Sequence, residues 1–214
     1  MRALDLYRNQ SRGVRLHTAL RAWSAPLDAV VAAIPDTARS LLDVGCGHGL
    51  VANEFSLRHP DARVLGIDLS DTKIAAASAS IGGRPNLEFR HVALQEVQER
   101  SFDAVSLVDV LYLVPVAEWT SFLQHCFDRT APGGTFVLKE VVTEPRWKFE
   151  RIRLQEFIST RVIRITKGDV MHFETPELLK QRLEGVGFER VEIQALDKGY
   201  ATPHVLLVAR RPQA

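Results

Sequence analysis

The sequence predicts an α/β protein, built on a doubly wound, mostly parallel sheet with helices on both faces. Three observations carry this. Short apolar runs of strand length alternate with stretches of helical periodicity along most of the chain. One run, "FDAVSLVDVLYLV" (102–114), is apolar almost throughout, as in a strand buried on both faces. A glycine-rich turn, "GCGHG", joins the first strand to the first helix of the repeat, where such sheets bind ligands.

The elements follow in order. Residues 1–36 read as an amphipathic helical cap, with Leu16, Leu20, Trp23, Leu27, Val30 and Val31 at helical spacing and Pro35 ending it. "SLLDVG" is the first strand, and Leu50, Val51 and Phe55 give the next helix its inner face. "ARVLGIDLS" is the second strand; Ser70 or Asp71 caps the alanine-rich helix after it, and Gly82-Gly83 stops that helix. "NLEFRHV" is the third strand and 102–114 the fourth. The helix "VAEWTSFLQHCFDRT", the turn "APGG" and the fifth strand "GTFVLKEVV" come next. Residues 143–174 form an insertion. Thr175 then caps and Pro176 opens the helix "PELLKQRLEGVG". Two closing strands, "RVEIQAL" and "HVLLVAR", lie so close in sequence that one of them is antiparallel near the sheet edge. No repeat of solenoid length occurs. The expected organisation is one domain, with a core of 38–142 and 175–211 carrying the cap and the insertion.

Bulk properties narrow the function. The 214 residues are 46% hydrophobic and 25% charged, with a formal net charge of +1, so no global field recruits nucleic acid. The charged amino terminus lacks an apolar core segment, so no secretory signal is expected, and no run has the roughly 18 apolar residues of a membrane span. Cys46 and Cys126 make neither a disulfide framework nor a zinc site. A cytoplasmic protein is expected.

Two glycine frames compete in the first turn. From Gly47, "GHGLVA" fits the dinucleotide pattern G-x-G-x-x-G/A; from Gly45, "GCGHG" follows Asp43. A carboxylate beside the loop repels a pyrophosphate on the helix N-terminus but favours an ammonium group. Asp68, nineteen residues past Gly49 at the tip of the second strand, can accept both hydroxyls of a ribose. A ligand bearing an ammonium and a ribose but no phosphate satisfies both acids, and S-adenosylmethionine is such a ligand.

With these residues in place, the chain resembles the class I S-adenosylmethionine-dependent methyltransferases over nearly all of 38–211. The resemblance rests on "LLDVGCGHG", "LGIDLS", "FDAVSLVDVLYLVP", "PGG" and the final strand pair. It implies a seven-stranded Rossmann-like sheet whose last-inserted strand is antiparallel, with S-adenosylmethionine as cofactor and S-adenosylhomocysteine as product. It further implies Asp43 near the methionine amine, Gly45, Cys46, Gly47 and Gly49 under the cofactor backbone, and Asp68 with Leu69 at the ribose. The family usually places an acid after the third strand to meet the adenine amine. Here Ala93 stands there, which leaves backbone near Leu94, or Gln95, for adenine.

Methyl transfer needs a base only when the acceptor loses a proton. Candidates at strand tips and in the insertion are Asp109, Tyr112, Glu140, His172, Tyr200 and His204, and Asp109 can equally line the cofactor's methionine end. Amino methylation of nucleic acid is disfavoured, because "DVLY" stands where a proline pair is usual. Ribose 2′-O-methylation of RNA remains an alternative through Asp109, Lys139 and Glu192, although no lysine precedes Lys73 to complete a tetrad. No metal is expected: metal-assisted catechol methylation would want an acidic pair after the fifth strand, and "KEVVTE" offers Glu140 and Glu144 without the usual Asp-Asn. In 146–167 seven basic residues face two acidic ones around a stripe of Trp147, Leu154, Phe157, Ile158, Val162 and Ile165, a lid that can also touch a membrane surface. Tyr112, Trp147, His172 and Tyr200 are the expected acceptor walls. The reading is transfer of a methyl group to a small apolar or lipid-like acceptor, on oxygen, carbon or nitrogen. A cofactor-binding module without catalysis and a nicotinamide-dependent oxidoreductase are the readings from other classes.

Overall fold

The computed structural model describes residues 1–99, 101–145, 147 and 172–213. Seven strands form one sheet: β1 (Ser40–Val44), β2 (Arg63–Asp68), β3 (Leu87–His91), β4 (Phe102–Val108), β5 (Thr130–Val141), β6 (Glu189–Ala195) and β7 (His204–Arg210). Their order is β3-β2-β1-β4-β5-β7-β6. All neighbours pair in parallel except β7, which is antiparallel to both β5 and β6. The connection from β1 leads to β2 on one side, while β4 lies on the other. That reversal opens a crevice at the carboxyl ends of β1 and β4, the usual ligand position in such sheets.

Alternation along the central strands fills two cores. Leu42, Val44, Val105 and Leu107 point to one face, where Trp119 and Leu123 of α5 (Trp119–Arg129) and Leu179 and Leu183 of α6 (Pro176–Gly185) meet them. Leu41, Val64 and Ala104 point to the other. There they meet α2 (Leu27–Ala33), α3 (Leu50–Arg58) and α4 (Asp71–Ala79). With both faces covered, the central strands read as unbroken apolar runs.

Three differences from the sequence reading bear on the site. The fourth apolar run does not continue as a strand to residue 114. β4 stops at Val108, Asp109 turns to φ 55°, and Leu111–Leu113 make a 3-10 turn whose Leu111 is fully buried. An apolar run cannot by itself separate a strand from a buried turn. The "APGG" turn is absorbed into β5 as an irregularity in its pairing with β4. Residues 1–36 are not one helix: a 3-10 segment (Arg2–Tyr7) precedes α1 (Arg12–Ser24), and the chain breaks at Ala25-Pro26 before α2. Leu27, Val30 and Val31 are buried, whereas Leu16, Leu20 and Trp23 are 71%, 56% and 79% exposed. Most of the 143–174 insertion, including the 146–167 lid apart from Trp147, lies outside the described residues.

The caps of α4 and α6 follow the sequence rules. Ser70 Oγ accepts from the Lys73 amide, and Thr175 Oγ1 accepts from the Leu178 amide at 3.3 Å with Pro176 as the first helical residue. Thr175→Ala leaves that amide without its acceptor and is expected to lower the unfolding free energy by about 1 kcal/mol in a urea titration.

Candidate functional site

The site begins where β1 meets β4. The register sets Asp43 beside Ser106, and Ser106 Oγ donates to Asp43 Oδ1 at 2.7 Å. Asp43 is 2% exposed, and its Oδ2 has no hydrogen-bond partner among the described residues. Burial pushes its carboxyl up to about 7. A buried acceptor without a donor costs free energy, which a cationic ligand donor in the crevice would offset.

The glycine loop wraps the end of β1. Gly45, Gly47 and Gly49 all have positive φ. At Gly45 a Cβ would stand 2.4 Å from Val110 Cγ2, so the turn after β4 excludes any side chain there. At Gly47 (φ +57°) nothing lies within 4 Å of where a Cβ would be, so bare backbone faces open space. The Cys46 amide donates to Ile67 O at 2.9 Å, tying the loop to the tip of β2. Asp68 continues that tie: its Oδ2 accepts from the Gly47 amide at 2.9 Å and its Oδ1 from the Ser70 amide at 2.8 Å. The Tyr7 hydroxyl donates to the carbonyl of His48, so the 3-10 segment anchors the loop from outside.

The opposite wall is the turn after β4, with Asp109, Tyr112 and Leu113, and two consecutive residues of β5 hold it from behind. Lys139 is fully buried, and its Nζ donates to Asp109 Oδ1 at 2.7 Å and Oδ2 at 2.5 Å; Arg21 of α1 pairs with the same carboxylate. Burial opposes the charge on Asp109, but the two cations outweigh it and hold the carboxyl below its ordinary range. Glu140 Oε1 accepts from the Val110 and Leu111 amides at 3.1 and 2.8 Å. Burial, and then the nearby Asp109 charge, push Glu140 up to about 8, which keeps it protonated at neutral pH. Lys139 and Glu140 therefore shape the 109–113 turn, and with it Tyr112.

Between these walls lies a cavity of about 290 Å³. Of the residues predicted from sequence, it brings together Asp43, Gly45, Cys46, Gly47, Asp109 and Tyr112. Gly49 packs behind the loop against Phe89, and Asp68 sits beside the loop. Leu69 is exposed, with its carbonyl 3.0 Å from His91 Nε2; Leu94 is buried, and the Ala93 amide donates to Glu96 Oε2 at 2.8 Å. Glu140 serves the turn and does not line the cavity. His204 is buried, pushed down to about 4 first by burial and then by Lys139, and its Nε2 lies 2.5 Å from Thr202 Oγ1 and 3.2 Å from the Ser24 carbonyl. His172 lies edge-on to Trp119, 3.7 Å from Glu174; Tyr200 packs on His204, and Trp147 is exposed. None of these four lines the cavity. Glu192 is on β6, with β7 between it and the β5 strand of Lys139, so an Asp109–Lys139–Glu192 cluster does not form.

Four basic cavity residues escaped the sequence reading: His17, Arg21, His48 and Lys73. His17 and Arg21 are four apart on α1 and share a face. His48 is the variable residue between two loop glycines. The His17 and His48 rings lie 4.6 Å apart, and burial lowers the pKa of both below its ordinary 6.5.

A sheet of order 3-2-1-4-5-7-6 with an antiparallel seventh strand, and a glycine loop between acids on β1 and β2, defines a methyltransferase-type α/β protein. A family model described as a methyltransferase domain matches residues 15–193, and the chain belongs to that family. Among curated relatives, the ubiquinone biosynthesis O-methyltransferase of Psychrobacter arcticus is 30% identical over 164 residues, covering 74% of this chain and 62% of the relative. Its counterpart from Pseudomonas putida is 28% identical over 173 residues, covering 79% and 72%. The chain thus spans about three fifths of the length of the Psychrobacter relative. An O-methyltransferase family protein from Burkholderia thailandensis shares the fold with a TM-score of 0.70 at 20% identity, over 94% of this chain and 57% of that one. Human N-acetylserotonin methyltransferase, solved with its methyl donor, shares it with a TM-score of 0.68 at 19% identity, over 97% and 58%.

Proposed function

We propose that this chain transfers the methyl group of S-adenosylmethionine to a hydroxyl of a small, largely apolar acceptor, leaving S-adenosylhomocysteine. The observation that carries this reading is Asp43: a buried carboxylate oxygen without a donor, in a cavity beside bare loop backbone, suits an ammonium group. Asp43 would hold the methionine amine, the backbone of Gly45 and Gly47 its carbon chain, and Asp68 the ribose through the lone pairs its two amide bonds leave free. Adenine would lie toward Leu69, Ala93 and Leu94. Family membership supports methyl transfer, and the O-methyltransferase names of the curated relatives support oxygen as the acceptor atom.

S-adenosylmethionine held there would supply an electrophilic methyl carbon to the acceptor oxygen, with the carbon–sulfur bonding pair leaving on sulfur. The chain's part is orientation, exclusion of water and proton removal. Asp109 is engaged by two cations and is a weak base. The His17–His48 pair is uncharged near neutral pH and in the cavity, so the acceptor's hydroxyl proton leaves to one of these imidazoles. Tyr112 and Leu113 supply the acceptor's apolar wall.

Calorimetric titration with S-adenosylmethionine, S-adenosylhomocysteine and NADH tests the cofactor. Binding of both adenosyl compounds is expected; binding of NADH alone would overturn the reading and restore the dinucleotide frame. Labelled methyl donor with a panel of phenols of increasing apolar size then tests the acceptor class.

A further inference from the structure

α1 presents an apolar stripe to solvent. Leu16, Leu20 and Trp23 recur at i, i+4 and i+7, on one face by helical geometry, and are 71%, 56% and 79% exposed. The helix turns its buried Thr18 inward and sets His17 and Arg21 along the cavity mouth. Its apolar stripe is therefore neither core nor cavity lining.

Beside the stripe, charge is one-sided. Residues 1–24 hold Arg2, Arg8, Arg12, Arg15 and Arg21 against a single acid, Asp5. Arg8 pairs with Asp5 at 2.7 Å and Arg21 with Asp109, which leaves Arg2, Arg12 and Arg15 without an ion pair among the described residues. Arg8, Arg12 and Arg15 line a shallow groove of about 520 Å³ between the 3-10 segment and α1, together with Leu4 and Leu16. Exposed tryptophan and leucines next to a cationic groove match the interface of an anionic bilayer: apolar side chains enter the acyl boundary while guanidinium groups meet phosphates.

We infer that the outer face of α1 docks this protein on an anionic lipid surface, with Leu16, Leu20 and Trp23 inserted and Arg12 and Arg15 on the headgroup phosphates. His17 and Arg21 lie on the adjoining face of the same helix, so docking brings the cavity mouth to the membrane, where an apolar acceptor is concentrated. The docking itself does not depend on the proposed reaction. Among the described residues no helix is long and apolar enough to cross a membrane, and the contact proposed is peripheral.

Cosedimentation of the full chain with phosphatidylcholine vesicles, with and without phosphatidylglycerol, tests it. Binding is expected only with phosphatidylglycerol and should weaken as salt rises. Arg12→Gln/Arg15→Gln should reduce partitioning by roughly 25-fold, about fivefold per arginine, and Leu16→Ser/Trp23→Ser by at least about tenfold. All four positions are exposed, so unchanged S-adenosylmethionine affinity and circular dichroism serve as folding controls. In a Trp147→Phe background, Trp23 emission should shift blue on vesicles while buried Trp119 stays constant. Equal binding to both vesicle types, or binding kept by both double variants, would overturn the inference. So would a solution dimer that Leu16→Ser/Trp23→Ser dissociates, since a second copy would then be what covers the stripe.

Discussion

Asp43→Asn should abolish S-adenosylmethionine binding while making the unliganded protein more stable. The asparagine keeps the shape and the bond from Ser106 Oγ but removes the charge that faces the cofactor's ammonium. A charged pair in a dry crevice is the strongest contact this cavity can make, and losing it should weaken binding by at least about 100-fold. Stability moves the other way. The carboxyl sits at about 7 in the fold against an ordinary 3.8, so the folded chain holds its proton where the unfolded chain has released it. Protons are then in excess on the native side between those values, and the unliganded protein loses stability as pH rises from about 4 to 7. At pH 8 the ionised, buried Asp43 costs up to about 4 kcal/mol; the asparagine's unpaired N–H returns part of that, leaving a gain of about 1–3 kcal/mol. The same linkage makes wild-type affinity climb with pH, about tenfold per unit below 7 and flat above it. Thermal melts at pH 8 and titrations from pH 6 to 8 read both effects. A variant that binds normally, or wild-type affinity flat across that range, would remove Asp43 from the cofactor site.

The sheet was readable from sequence because its signal is local. The central strands sit in apolar runs, the caps of α4 and α6 are a Ser and a Thr ahead of a helical pattern, and Asp43, the glycines and Asp68 lie within 26 residues of one another. What stayed hidden depends on contacts between distant segments. Arg21 joins the site through Asp109, 88 residues away, and nothing near Arg21 announces that pairing. Leu16, Leu20 and Trp23 have the spacing of a buried face, yet periodicity cannot say whether a stripe meets the core or the solvent. Glu140 reads as a strand-tip acid suited to catalysis; only the fold shows its oxygen bonded to two amides of the neighbouring turn. Of the strand-tip candidates, Asp109 and Tyr112 reach the cavity because the chain reverses at φ 55°, a conformation that an aspartate adopts here under two cations.

That reversal makes Lys139 the residue whose loss should cost the fold most. Its ammonium is fully buried, and with Arg21 it neutralises Asp109 at the one non-glycine left-handed residue of the site. Removing Lys139 leaves the buried Asp109 carboxylate to Arg21 alone, a partner about a third exposed, and Lys139→Ala should destabilise by about 3 kcal/mol, a fall of roughly 6–12 °C in melting temperature. Lys139→Met, which fills most of the space, should recover little, because the half-neutralised buried carboxylate and not the void is the main cost. Lys139→Met/Asp109→Asn should recover most of it, giving a large coupling energy in the double-mutant cycle. The pH dependence has the opposite sign to that of Asp43. Asp109 is held below its ordinary range, so its contribution is complete above about 4 and disappears as acid protonates it through its lowered value; the Lys139 variants should show a shallower loss of stability on acidification. Activity separates this positioning role from direct catalysis. If Lys139 acts only by holding the turn, the double variant regains cofactor affinity and loses mainly acceptor affinity, through a displaced Tyr112 wall. If Lys139 instead acted on the reacting hydroxyl, as in ribose methylation, the single variants would keep their melting temperature and lose turnover alone, and the structural role argued here would be wrong.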